Sequence, residues 1–313
     1  HFVLCNITIG LFVLILLCMK RIFKHCLTPR MQFNLWIPFT ISLLVPFLPV
    51  SFSTLSTKMQ DLFHPLAHFS HTVHTTNTSE YTSSSTNQIY DYAISMRTQF
   101  PVYIFTIFCV IWGIGMFVML FSFVRSLVLL HHMRRTANLM QDKRIHDIYM
   151  TCLSELQLRK SIPLYSSSII DTPVSTGILR PAIFLPLHHI SNFEEQEIRY
   201  ILLHELMHCY YKDAIFNYCM NIIRILYWFH PLIWLITKEF YTERELACDT
   251  SVLRLLGANE QISYGVTLLH FVDKQTNTPL SLLNNLSENA KQMKRRILNI
   301  KQHQPLTIQK KLR

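Results

Sequence analysis

The run His204-Glu205-Leu206-Met207-His208 brings together the side chains that metal-assisted hydrolysis needs. Two histidines four positions apart project from one face of a helix towards a common point. A divalent ion held there would have Glu205 beside it, where the carboxylate can serve as general base. The flanks agree with a helix. From Glu194 to Tyr211 there is no Gly or Pro, and Ile198, Ile201, Leu202 and Leu206 recur at helical spacing. A surface helix with two histidines is the competing reading, since this short motif also occurs by chance.

Hydrolytic zinc sites usually combine three protein ligands with one open position. The next acidic pair on a helix lies between Tyr241 and Leu256, where Glu245 and Asp249 are four apart and share a face. Glu245 would complete a set with His204 and His208. Asp249 could accept a hydrogen bond from a ligating imidazole and fix its tautomer. Glu243 competes as a ligand but points to another face and has no acid four residues on. A solvated charged face is the alternative for this group. Cys209 and Cys248 flank the site without thiolate-pair spacing and read as small packing residues.

The elements that must position these residues include membrane helices. Only 15% of the side chains are charged, against about 25% in soluble domains. Phe2–Met19, Gln32–Ser53 and Phe100–Val124 contain no charged residue at all. Each is long enough to cross a hydrocarbon core of about 30 Å. Lys20, Arg21, Lys24 and Arg30 follow the first block, and Arg125, Arg134, Arg135, Lys143 and Arg144 follow the third. The loop after the second block has Lys58 and Arg97 against Asp61, Glu80 and Asp91. The positive-inside rule then places the N-terminus and that loop outside and the peptidase motif in the cytoplasm.

The expected fold class is a membrane α-helical protein with three spanning helices and a cytoplasmic α+β peptidase domain. Residues 1–53 hold two transmembrane helices and a basic cytoplasmic loop, 54–99 an external loop, and 100–126 the third transmembrane helix. Residues 127–275 form the zinc peptidase domain and 276–313 a basic linker towards a fourth helix. The external histidines His64, His68, His71 and His74 lack a carboxylate or Cys framework and read as a solvated loop. No disulfide pattern is apparent among the eight cysteines. The net charge of +10 is largely cytoplasmic-loop charge and does not point to nucleic acid. The cluster Lys291, Lys294, Arg295, Arg296 and Lys301 could meet anionic lipid, serve as a processing site or lead into another helix.

Within the cytoplasmic part, Asp142–Leu158 reads as a helix, and Ile162–Ile170 and Ala182–Leu185 as strands with a turn at Gly177. They suggest a short antiparallel sheet whose edge, Ile178–Leu185, could bind an extended substrate through Ile178, Leu179, Ile183 and Phe184. Residues 217–240 are apolar but contain Arg224, His230 and Pro231. A single crossing there would separate Glu245 from His204, so a re-entrant or interfacial helix pair bent near Pro231 is expected.

Ile201–His208 followed by Glu243–Asp249 resembles the membrane metallopeptidases of the bacterial β-lactam sensor-transducer (antirepressor) family. Tyr227–Trp234, Pro173–Gly177 and Pro181–Pro186 are similar to that family's pattern as well, and the likeness covers essentially the whole chain. The resemblance implies Zn2+ bound by His204, His208 and Glu245, with Glu205 as general base, in a gluzincin-like domain. It also implies self-cleavage and loss of a cytosolic transcriptional repressor after an external penicillin-binding sensor is acylated. The expected partners are that repressor, the chain's own linker around Thr278–Lys301, membrane lipid, and a second copy in a homodimer, without direct nucleic-acid binding. The chain begins at His1 and stops before a fourth helix, so it reads as a fragment without the sensor. The alternatives are a constitutive or sensorless membrane peptidase, and a non-catalytic signalling scaffold with a closed structural metal site.

Overall fold

The computed structural model describes residues 10–44 and 102–303, apart from 12, 16–17, 21, 23–26, 159, 169, 187–189, 191–192 and 277–285. The external loop at 54–99 with its four histidines, most of the first apolar block and the end of the second lie outside the described residues. So does the part of the expected linker at 277–285. The chain divides into two units, His1–Leu43 with Val118–Arg313, and Leu44–Phe117.

In the second apolar block the helices Pro29–Asn34 (α1) and Trp36–Leu44 (α2) are separated by Leu35. Thr28 caps α1 and Pro29 occupies its first turn, where a missing N–H costs nothing. The next helix, Val102–Thr136 (α3), contains the stretch Thr106–Thr136, whose most apolar part has mean hydropathy 2.5 and is unburied, while Met133 near its end is buried. Ile107, Phe108, Phe117 and Phe121 on it are all more than half exposed. A helix that is apolar all round and uncovered suits a lipid solvent. Among the described residues it alone is long and apolar enough to cross a membrane.

The remaining elements follow in chain order. Asn138–Leu139 (β1), Lys143–Glu155 (α4), Leu164–Ser167 (β2), Val174–Thr176 (β3) and Ala182–Pro186 (β4) precede the helix Glu195–Tyr210 (α5). Then come Asp213–Leu226 (α6), Pro231–Leu256 (α7), Gln261–Thr276 (α8) and Leu286–Gln302 (α9). The four strands form one sheet in the order β1-β2-β4-β3. It is mixed rather than antiparallel: β2 pairs β4 in parallel, with Tyr165 opposite Phe184, while β3 pairs β4 antiparallel, with Ser175 opposite Ile183.

That order corrects the expected substrate edge. β4 has a neighbour on both sides, and Ile183 and Phe184 are fully buried in the sheet. Its ladder groups are already paired, so an added strand cannot use it. The outer strand on that side of the sheet is β3. Ile178 and Leu179 lie in the connection beyond it, with Leu179 94% exposed.

α5 runs through the core. Leu202, Leu203 and Leu206 are completely buried, and the cluster around them includes Tyr149 and Cys152 of α4 and Val252 of α7. Glu197 caps its start by accepting from the Glu194 N–H at 3.0 Å. The chain turns at 227–230, and α7 starts at Pro231 and continues unbroken to Leu256. This turn between α6 and α7 lets residues of α5 and α7 meet.

The β3–β4 connection depends on Gly177. Its φ of +101° is a left-handed value, and a Cβ there would run into the Arg180 carbonyl oxygen. Arg134, at the end of α3, donates to that carbonyl at 2.5 Å. Gly177→Ala is expected to destabilise the chain by about 1–3 kcal/mol, read as a lowered thermal midpoint in detergent. An unchanged midpoint would mean the connection relaxes freely.

Candidate metal centre

The two histidines of α5 and the glutamate of α7 converge on one point. His204 Nε2 lies 3.2 Å from His208 Nε2 and 3.3 Å from Glu245 Oε2, and His208 Nε2 lies 3.8 Å from Glu245 Oε1. Two bonds of about 2.1 Å at a tetrahedral angle would separate ligand atoms by about 3.4 Å. The spacing fits a small divalent ion.

The opposite ring nitrogens have polar partners, which leaves the Nε2 atoms to face the centre. His208 Nδ1 is 2.8 Å from Asp213 Oδ2. Lys212, with φ of 55°, makes the tight reversal that brings Asp213 back beside α5. His204 Nδ1 is 3.0 Å from the Tyr264 hydroxyl, which donates to Asp249 Oδ1 at 2.7 Å. Asp249 is 3.4 Å from that nitrogen directly, so it reaches His204 chiefly through Tyr264. Both rings can then carry Nδ1–H and offer Nε2 to the centre.

Arg244 holds Glu245, donating to Oε1 at 2.6 Å and to Asn217 Oδ1 at 2.6 Å. Burial would raise the Glu245 carboxyl, but Arg244, His204, His208 and Arg296 together hold it well below the usual range. Burial presses His208 down, yet Cys248, Asp213 and Glu245 outweigh it and lift the imidazole to about 10. The site is thus charge-dense and largely buried. Glu243 faces away and meets Lys20 and Trp36 instead.

Cys248 offers a second cluster. Its Sγ, His204 and His208 place ligand atoms within 4.8 Å of one another. The thiol, however, approaches His204 from the Nδ1 side at 3.5 Å, where Tyr264 and Asp249 already sit. Burial, with Glu205 nearby, pushes the Cys209 thiol up to about 12, so it stays protonated.

His204, His208, Asp213, Arg244 and Glu245 line a cavity of about 810 Å³. Glu205 opens into it beside the two histidines. One wall is β3 with Ile178 and Leu179; another is α9, through Met293 and Arg296. The structure thus brings together His204, His208, Glu205, Glu245 and Asp249, places Ile178 and Leu179 on the cavity wall, and keeps Ile183 and Phe184 in the sheet core.

Three contributors escape sequence reading. Asp213 follows His208 closely, but only the left-handed Lys212 makes that proximity useful. Tyr264 and Arg296 come from 60 and 47 positions away from the residues they hold, and no local pattern announces them. Arg296 is not a solvated basic residue or a lipid contact. Its side chain is only 11% exposed, and it donates to both Asp249 oxygens at 2.8 Å.

A family model described as BlaR1 peptidase M56 matches residues 1–300. The chain is 30% identical to Regulatory protein BlaR1 of Bacillus licheniformis over 302 residues, covering 96% of this chain and 50% of that protein. It is 25% identical to the Methicillin resistance mecR1 protein of Staphylococcus aureus, covering 76% of this chain and 40% of that one. With Regulatory protein BlaR1 of Staphylococcus aureus it shares 24% identity over 92% of this chain and 48% of that one. The chain spans about half the length of these relatives, or less. With the match running along almost its entire length, the chain belongs to the BlaR1 peptidase M56 family.

Proposed function

We propose that the chain is the zinc endopeptidase part of a multi-pass membrane signalling protein. The observation that carries this reading is the meeting of His204 Nε2, His208 Nε2 and the Glu245 carboxylate on a cavity wall beside Glu205. His204, His208 and Glu245 would hold Zn2+, which supplies Lewis acidity to polarise a peptide carbonyl. Glu205 accepts the proton of the attacking water and passes it to the leaving amine. Asp213 and Asp249 keep the histidines in the ligating tautomer, and Arg244 keeps Glu245 charged and oriented. The peptide backbone lies along β3, the outer strand, with Ile178 and Leu179 against its side chains.

The domain is gluzincin-like. Three helices span the membrane, with the N-terminus outside and the peptidase in the cytoplasm beside the lipid, as the charge asymmetry supports. By analogy with the regulatory and methicillin-resistance relatives, the whole protein senses a β-lactam and cleaves itself and a cytosolic transcriptional repressor. The Cys248 cluster favours a second reading, a closed structural metal site in a scaffold. The thiol's position behind His204 weighs against it.

The test is the zinc content and self-fragmentation of the purified chain in detergent. Wild type is expected to carry one zinc and to yield fragments; Glu245→Ala loses the metal and the fragments together. Full zinc in Glu245→Ala, with zinc lost instead from Cys248→Ala, would establish the scaffold reading.

A further inference from the structure

α9 packs on α7 and α8, burying Ile300 in the core, and its Asn299 donates to Thr250 at 3.2 Å. On the same helix Arg295 and Arg296 diverge. Arg295 forms a two-pronged pair with Glu239 at 2.7 and 2.8 Å, about one-third exposed. Arg296 instead enters the metal centre, forking onto both oxygens of the fully buried Asp249 and passing 3.5 Å from Glu245 Oε2.

We propose that Arg296 is a positioning residue for the metal centre, supplied by α9, so that the centre is complete only while that helix is docked. This rests on the metal reading above. Once His204 is a neutral ligand, Arg296 is the cation facing Asp249 among the described residues. The guanidinium donates to both oxygens of that carboxylate at 2.8 Å. The fork also fixes the carboxylate's plane. Asp249 Oδ1 then accepts from Tyr264, and Tyr264 in turn accepts from His204 Nδ1–H. Undocking α9 removes the guanidinium, loosens that chain of hydrogen bonds and frees His204 to rotate. Any event that pulls on α9 is thereby converted into a change at the metal.

The experiment compares zinc release to a chelator from detergent-purified wild type, Arg296→Ala, Arg296→Lys and Arg295→Ala, with the visible spectrum of the cobalt-loaded forms. Arg296→Ala is expected to release metal about 10–100-fold faster and to alter the cobalt spectrum, while Arg295→Ala stays near wild type. Arg296→Lys falls between, since an ammonium keeps the charge but not the fork. Equal release from Arg296→Ala and Arg295→Ala would reduce Arg296 to a docking contact and overturn the proposal. If Arg296→Ala does not fold, Arg296→Lys decides: release at the wild-type rate overturns the proposal. A wild type that binds no zinc defeats the metal reading first, and this one with it.

Discussion

Glu205→Gln is expected to slow peptide-bond cleavage by about 10²–10⁴-fold while leaving the zinc content unchanged. Glutamine preserves the volume of the side chain but exchanges one carboxylate oxygen for a neutral amide NH2, so it can no longer take up a proton. Glu205 is next to His204 on α5 and lines the cavity, but the atoms that meet His204 Nε2 are those of His208 and Glu245. Proton transfer and metal holding therefore rest on different carboxylates, and the two substitutions should separate them. Glu245→Ala loses metal and cleavage; Glu205→Gln loses cleavage alone. Metal analysis beside a time course of self-fragmentation reads both quantities from one preparation. Zinc lost from Glu205→Gln would place Glu205 among the ligands and undo the assignment of the general base.

How much of this centre was readable from the chain alone follows from distance along the sequence. His204, Glu205 and His208 share one helix, and the 3.6-residue period fixes their mutual placement. Glu245 and Asp249 share another, so their common face was readable too, though not its apposition to α5. That apposition needs the turn at 227–230, which Pro231 advertised. Tyr264 and Arg296 belong to helices whose docking is decided by packing around residues such as Ile300, and periodicity holds no record of which helix meets which. The sheet failed in an instructive way. Strand positions were readable from turn residues and apolar runs, but pairing order is a tertiary choice. β4 became central because its five residues are all buried, which the short run Ala182–Pro186 could not distinguish from a one-sided edge.

Breaking the contact of Lys20 and Trp36 with α7 carries the largest expected effect on stability. Lys20 reaches Glu243, and both side chains are below 8% exposed. Trp36 donates its indole N–H to the same carboxylate at 2.6 Å, while the Lys20 ammonium sits 3.7 Å from the Trp36 ring centroid. Lys20→Met removes the cation and leaves Glu243 buried with the indole alone, a loss of about 3–5 kcal/mol for a pair broken on one side. Adding Glu243→Gln should recover most of it, because the uncompensated charge rather than the missing attraction accounts for the penalty. Glu243 lies two residues before Glu245 on α7, so the single variant should also release zinc faster than the double one. Thermal midpoints in detergent across the four members of this cycle, with zinc release measured alongside, read both effects. If Lys20→Met and the double variant melt together, the uncompensated Glu243 charge carries no penalty, and the second apolar block holds α7 through Phe33 and Trp36 packing on Phe240, with Phe39 against Trp36, instead.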